Sequence, residues 1–168
     1  MSLSKPLRRL ALAGFLLGLG TALGACSFSP VYSGALASQP LLNLAYAKPN
    51  TRLEQVIYQE LALRFGSSDA DTAPLAQVVT TTSVIEAARS VTANPAKPLE
   101  VTVTATLTIT KRDGSSNGPV TIVRSATAAY SRTGQVLADT AAADEAAERA
   151  AKSTAESLRL GLLAALNR

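Results

Sequence analysis

A ten-residue segment in the middle of the chain alternates strictly between apolar residues and threonine. Successive side chains of a β-strand point to opposite faces of the sheet, so this period of two predicts a strand with one buried and one polar face. The polar face has five threonines and no charge between Glu100 and Lys111, and it is either a plain solvated surface or a surface that contacts a partner. The apolar positions are Val101, Val103, Ala105, Leu107 and Ile109.

The neighbouring segments predict an antiparallel sheet around this strand. Residues 75–89 are rich in valine and threonine, and residues 120–130 resume the alternation. The segment 111–118 is rich in glycine and serine, which predicts a hairpin loop. A fourth, short strand is predicted over residues 41–46, with Leu42, Leu44 and Tyr46 on one face.

Two segments show helical periodicity. Thr51 and Glu54 have the spacing of a capping box, apolar residues recur at helical spacing as far as Phe65, and Gly66 is suited to the C-terminal cap. Residues 139–166 are dominated by alanine and predict a long helix. Its predicted apolar stripe is Ala147, Ala151, Ala155, Leu158, Leu162 and Leu166.

These elements predict an α+β domain in the order β-α-β-β-β-α. We expect a four-stranded, mostly antiparallel sheet with two helices packed on one face. The predicted domain covers residues 40–168, and the small, polar residues 26–39 are expected to form a tether.

The first 26 residues have the layout of a bacterial lipoprotein signal peptide. Lys5, Arg8 and Arg9 precede a short apolar run, and small residues lead to Cys26, the one cysteine in the chain. We expect residues 1–25 to be removed and the Cys26 thiol to carry the lipid. Two or three acyl chains would hold the protein stably at the membrane. Ser27 stands where an inner-membrane retention signal usually has aspartate, so an outer-membrane location is favoured.

The composition of the expected mature chain argues against catalysis and nucleic-acid binding. The net charge of +4 falls to about +1 when the signal is removed, because the remaining chain has thirteen basic and twelve acidic residues. The chain has no histidine and no tryptophan, and lipidation would leave no free thiol or disulfide. The usual general base and zinc ligands are therefore missing. We expect a protein without enzymatic activity, bound metal or cofactor.

Four cations flank the predicted loops and are candidates for binding phosphate groups. Lys111 and Arg112 begin the glycine-rich hairpin loop, while Arg89 and Lys97 bracket the preceding loop. Charged residues are also common at the tips of ordinary hairpins, so either role is open. The two loops of a meander lie at opposite ends of the sheet, and one pair at most is then expected to face a given ligand.

The segment that starts at Cys26, Cys-Ser-Phe-Ser-Pro-Val-Tyr, resembles the mature start of the lipopolysaccharide-assembly lipoprotein family LptE. Phe28, Pro30 and Tyr32 match the family's common pattern, whereas Ser27 and Val31 depart from it. The predicted element order is also similar to that of the family. The resemblance implies a non-enzymatic plug within the lumen of the β-barrel LptD, which helps the barrel to assemble and binds lipopolysaccharide during its delivery to the cell surface.

Two other classes of protein are compatible with a lipid anchor. One is a scaffold or auxiliary subunit of a different envelope transport or secretion complex, which would be distinguished by its partner. The other is an anchored hydrolase, for which the sequence offers no recognisable catalytic group.

Overall fold

The computed structural model describes residues 42–87, 96–114 and 118–166, which all lie in one compact unit, Leu41–Arg168. The predicted α+β class and the element order are confirmed. The elements are β1 (Ala45–Tyr46), α1 (Arg52–Phe65), β2 (Leu75–Glu86), β3 (Lys97–Thr110), β4 (Val120–Arg132) and α2 (Val136–Leu166).

The four strands form one sheet in the order β1-β2-β3-β4. β1 runs parallel to β2, whereas β2, β3 and β4 form the predicted antiparallel meander. Leu107 at the centre of β3 lies opposite Val78 on β2 and Ile122 on β4. All three side chains are buried and share the face on which both helices pack.

The predicted facing of β3 is confirmed residue by residue. All five apolar residues at odd positions from 101 to 109 are buried, and Val103, Ala105 and Leu107 are completely inaccessible. The threonines at 102, 104, 106 and 108 are half-buried on the other face. The alternation of apolar residues and threonine along β3 therefore reflects a sheet that is covered by helices on one face.

The first strand is shorter than predicted. Asn43 has a φ of 44°, in the left-handed region, which interrupts the extended backbone expected over residues 41–46. Leu44 makes only an isolated bridge to Ser67, and β1 pairs with β2 through Ala45 and Tyr46. The side chain of Leu44 is nevertheless buried, so the predicted apolar face is retained without a full strand.

Both predicted caps of α1 are present. The Thr51 hydroxyl accepts the backbone N–H of Glu54, and the Glu54 carboxylate accepts the backbone N–H of Thr51 in return. At the other end Gly66, with a φ of 76°, donates its backbone N–H to the carbonyl of Ala62. Local spacing was thus sufficient to locate this helix.

The long helix α2 begins three residues earlier than predicted, at Val136. The carboxylate of Asp139 accepts the backbone N–H groups of Thr133 and Gly134, each at 2.8 Å, and so holds the turn that precedes the helix. The buried stripe also differs, because Leu166 is 45% exposed and Ala147 is half-buried. The buried residues of α2 are Ala146, Ala150, Ala151, Thr154, Ala155, Leu158, Arg159 and Leu162.

Gly161 lets α2 approach β4 closely. A Cβ atom at this position would lie 3.1 Å from Ile122 Cγ2 and 3.1 Å from Arg124 Nη2. Glycine ordinarily weakens a helix by about 1 kcal/mol relative to alanine. An added Cβ here would require Ile122 or Arg124 to shift by a few tenths of an ångström, so glycine suits this close packing.

Candidate functional site

The predicted loop cations lie at opposite ends of the sheet. Lys97 is the first residue of β3, and Lys111 directly follows the last one, Thr110. Both side chains are exposed. Arg89 and Cys26 lie outside the described residues. The structure therefore does not unite Lys97 with Lys111 and Arg112 in a single site.

Arg112 has a structural contact at its end of the sheet. Its Nε donates to the backbone carbonyl of Ala73 at 2.7 Å, which ties the hairpin loop to the segment before β2. Lys111 lies at an apolar cavity of about 130 Å³ whose other lining residues include Leu42, Ile109 and Leu162. We call the end of the domain that holds Lys111 and Arg112 the proximal end; Leu42, the first residue described, lies there.

A cation that the sequence reasoning missed lies at the other, distal end. Arg132 is directly opposite Lys97 in the β3–β4 register, so the two side chains share one face. Like charges directly opposite each other destabilise a sheet, by up to about 1 kcal/mol. The Asp139 carboxylate interacts electrostatically with Arg132 and offsets part of that repulsion, and an anion bound between Lys97 and Arg132 would offset more of it. Only the register of β4, which depends on the loop 111–118, could have revealed this pair.

Two strongly exposed apolar side chains follow Arg132 in the chain. Val136 is 77% exposed and Leu137 is 88% exposed at the start of α2. The distal end therefore combines a pair of cations with an apolar pair. This combination suits a ligand or surface that presents both phosphate groups and hydrocarbon.

The distal end also contains a groove of about 440 Å³, which we call the distal groove. Its lining is apolar at Leu53, Val84 and Val101 and charged at Asp144 and Glu148. Arg52 Nε at the start of α1 donates to Glu148 Oε1 at 3.0 Å across the opening. The groove exists because α1 begins at Arg52 and leaves the second half of β2 uncovered, with Val84 53% exposed.

The sheet face opposite the helices is broad, open and almost uncharged. We call it the threonine face. Val79, Ile85 and Val123 on this face are each more than half exposed. By register it comprises the odd positions of β2 and β4 and the even positions of β3, among which Glu100 is the one charged residue.

The pKa shifts of the described residues have structural causes. Burial raises the pKa of Tyr46 to about 12, and burial also raises the pKa of Tyr58. Hydrogen bonds from the backbone of Thr133 and Gly134 lower the pKa of Asp139. The hydrogen bond from Arg159 lowers the pKa of Glu156. Each of these groups fixes a turn, helix or packing contact.

Within residues 42–87, 96–114 and 118–166, no three histidine, cysteine, aspartate or glutamate side chains are grouped so as to hold a metal ion. None of the helices in this part of the chain has the length and apolar character required to cross a membrane.

Comparison with known proteins shows a shared fold. No protein-family model matches the sequence, and no curated protein is significantly similar to it. Rare lipoprotein B from Shewanella oneidensis has the same fold at a TM-score of 0.50 and 13% identity, over 73% of this chain and 93% of that one.

Two further solved structures are similar at lower TM-scores. A candidate lipoprotein from Caulobacter crescentus aligns at a TM-score of 0.49 and 23% identity, over 76% of this chain and 93% of that one. The minor lipoprotein from Acinetobacter baumannii aligns at a TM-score of 0.45 and 18% identity, over 68% of this chain and 84% of that one.

Proposed function

We propose that this protein is a non-enzymatic outer-membrane lipoprotein that helps an LptD-like β-barrel to assemble, plugs its lumen and binds lipopolysaccharide during delivery to the cell surface. The membrane attachment in this proposal is the lipid on Cys26. The lipoprotein assignment is supported by the signal-like start of the sequence and by the fold shared with rare lipoprotein B.

The observation that carries the barrel-plug role is the threonine face. The lumen of a large outer-membrane barrel is polar, so a plug must pack against hydroxyl, amide and backbone groups. Burying a charged side chain without a partner is costly, whereas a hydroxyl is readily satisfied by a hydrogen bond. The paired hydroxyls of Thr102 and Thr127, 2.9 Å apart, illustrate the hydrogen bonding available on this surface.

Lipopolysaccharide carries phosphates and acyl chains, and the distal end offers groups for both. Lys97 and Arg132 are adjacent, with the exposed Val136 and Leu137 a few residues further along the chain. At the proximal end Arg112 is already bonded to Ala73. The proposal therefore assigns the phosphates to the distal pair, although the sequence alone placed Lys111 and Arg112 first.

The test of the barrel partnership is affinity purification of the full-length protein from outer membranes, followed by mass spectrometry. Recovery of a large β-barrel in equal amount is expected. Thr104→Arg together with Thr106→Arg should remove the barrel from the purified material, whereas Gln59→Arg on the exposed side of α1 should not. Recovery of a different envelope complex in place of the barrel would instead favour a scaffold or auxiliary subunit of that complex.

A further inference from the structure

The two edges of the sheet are protected differently. In an antiparallel pair, alternate residues direct both backbone polar groups toward the neighbouring strand, and the remaining residues direct them away. On β2 the backbone N–H and C=O groups of the even-numbered residues point away from β3. This is seen at Ala76, whose carbonyl accepts the N–H of Ala47, and at Val78, whose N–H donates to the hydroxyl of Tyr58. On β4 the pairing register places the outward-pointing backbone groups on the odd-numbered residues.

The β4 edge is guarded by arginine side chains. Nη1 of Arg124 donates to the outward carbonyl of Val123 at 2.8 Å, and Nη2 of Arg149 donates to that of Ala129 at 3.0 Å. These contacts occupy two acceptors that an incoming strand would require, and they place positive charge along the edge. Charged side chains at an edge are a common protection against pairing with another chain.

Beyond Val78 the described residues give the β2 edge no such protection, and the contact at Thr80 is one between side-chain hydroxyls, with Thr51 Oγ1 3.3 Å from Thr80 Oγ1. The outward backbone groups of Thr82 and Val84 make no hydrogen bond to any described residue. No lysine, arginine or proline occurs from Leu75 to Ile85, and the residues are mostly valine and threonine, which favour strands. β1 covers this edge only opposite Leu75 and Ala76. An exposed edge of this kind is a template for another strand.

The distal groove lies beside this open edge. Thr82 and Val84 line the groove, and their side chains are on the helix face of the sheet. A strand added to β2 would place every second side chain on the same face, next to Leu53 and Val84. The groove volume of about 440 Å³ lies within the range of ordinary ligand pockets.

We propose that the edge of β2 from Thr80 to Glu86 binds an extended segment of a partner protein as an additional strand. The segment would have apolar residues at alternate positions and a lysine or arginine near the groove. Asp144 makes no ion pair with the described residues, while Glu148 shares its charge with Arg52, so the three charged residues that line the groove carry one net negative charge. This charge attracts a basic segment and opposes pairing with a second copy, which would bring two grooves of the same net charge together. The proposal does not depend on the barrel partnership.

The test uses purified full-length protein in detergent and a synthetic peptide of about nine residues with alternating valine and threonine and one central lysine. Amide hydrogen exchange is measured by NMR with and without the peptide. Saturating peptide should slow exchange at Thr82 and Val84 by at least about tenfold, because each gains a strand-pairing hydrogen bond. Ser125 and Thr127 on the guarded β4 edge should not change.

Two variants separate edge pairing from general binding. Thr82→Pro removes an outward N–H, which an edge strand tolerates, and should weaken peptide binding by at least about tenfold with an unchanged thermal melt. Ser125→Pro on the β4 edge is the matched control and should bind normally. Asp144→Asn should weaken binding of the lysine peptide by about twofold to fivefold. It should not change the binding of a peptide in which norleucine replaces the lysine, because that peptide lacks the positive charge.

Three results would overturn the proposal: no protection at millimolar peptide, equal affinity of the Thr82→Pro variant, or protection at β4 instead. Dimerisation of the full-length protein through β2, detected by loss of amide exchange at Thr82 without peptide, would also overturn it. None of these measurements involves a barrel or lipopolysaccharide, so failure here leaves the proposed function standing, and failure of that function leaves this proposal standing.

Discussion

The hydroxyl of Tyr58 on α1 accepts the backbone N–H of Val78 on β2 at 2.8 Å, in a buried position. The last β1–β2 pair is Tyr46–Ala76, two residues before Val78, so a helix side chain provides the hydrogen bond that a longer β1 would have made. Tyr46 packs against the same ring, with centroids 5.6 Å apart. Beyond this contact, no described residue pairs with the backbone of the β2 edge.

Replacing Tyr58 with phenylalanine should therefore lower stability. The substitution leaves the buried Val78 N–H without a partner, which costs about 1–3 kcal/mol. Urea unfolding measures the loss, and amide exchange at Val78 should accelerate. Tyr46→Phe is the control, since it removes only a 3.2 Å bond to the Gly66 carbonyl and should leave the Val78 amide protected. An unchanged Val78 exchange rate in Tyr58→Phe would contradict the assignment.

Leu107→Asp should unfold the domain or destabilise it by about 3 kcal/mol or more, because Leu107 is fully buried at the centre of the sheet. Thr106→Asp, one residue away on the threonine face, should change the free energy of unfolding by less than about 1 kcal/mol. Urea melts of the two variants test this ranking. Equal tolerance of both substitutions would be incompatible with the observed facing of β3.

The stability of the domain should fall in acid partly through Asp139. Its folded pKa lies below the ordinary value because the N–H groups of Thr133 and Gly134 bond to the carboxylate. The stabilisation is thus present above the unfolded pKa and is lost as the pH falls through the folded pKa. Asp139→Asn should flatten the dependence of urea stability on pH below about 4. Asp71→Asn, in an exposed loop, should leave the curve unchanged.

Charge reversal at the distal end should weaken lipopolysaccharide binding. Lys97→Glu combined with Arg132→Glu is expected to reduce affinity by more than about tenfold, and a urea melt should show that the variant remains cooperatively folded. The effect should shrink with added salt, because both cations are exposed. Lys111→Glu with Arg112→Glu is the proximal counterpart. A larger loss of affinity from the proximal pair would place the lipopolysaccharide site at the hairpin loop. Unchanged affinity in both variants would show that none of the four residues belongs to the site.

Cys26→Ser should prevent acylation, because the thiolate is the nucleophile that takes the diacylglycerol. Metabolic labelling with a palmitate analogue, followed by membrane fractionation, tests this directly. We expect an unlabelled, unprocessed or mislocalised precursor whose domain still folds. Equal labelling of variant and parent would exclude Cys26 as the anchor.

The sequence by itself determined the features that depend on neighbours along the chain. The alternation over residues 101–110 specified β3 and its buried face, because the side-chain period of a strand is two. Thr51, Glu54 and Gly66 specified both ends of α1, since capping involves residues three or four positions apart. The element order followed from these local signals.

Only the tertiary structure decided the features that join distant segments. Thr154 is buried on α2 because its hydroxyl lies 3.1 Å from the carbonyl of Val103, 51 residues away, and its polarity gave no sign of this in the sequence. The adjacency of Lys97 and Arg132 required the register across the hairpin. The open β2 edge follows from the parallel pairing of β1, which ends at the Tyr46–Ala76 pair and leaves the later residues of β2 without a neighbouring strand among the described residues. Each outcome depends on pairing between segments that local propensity does not encode, so the candidate site emerged only from the folded arrangement.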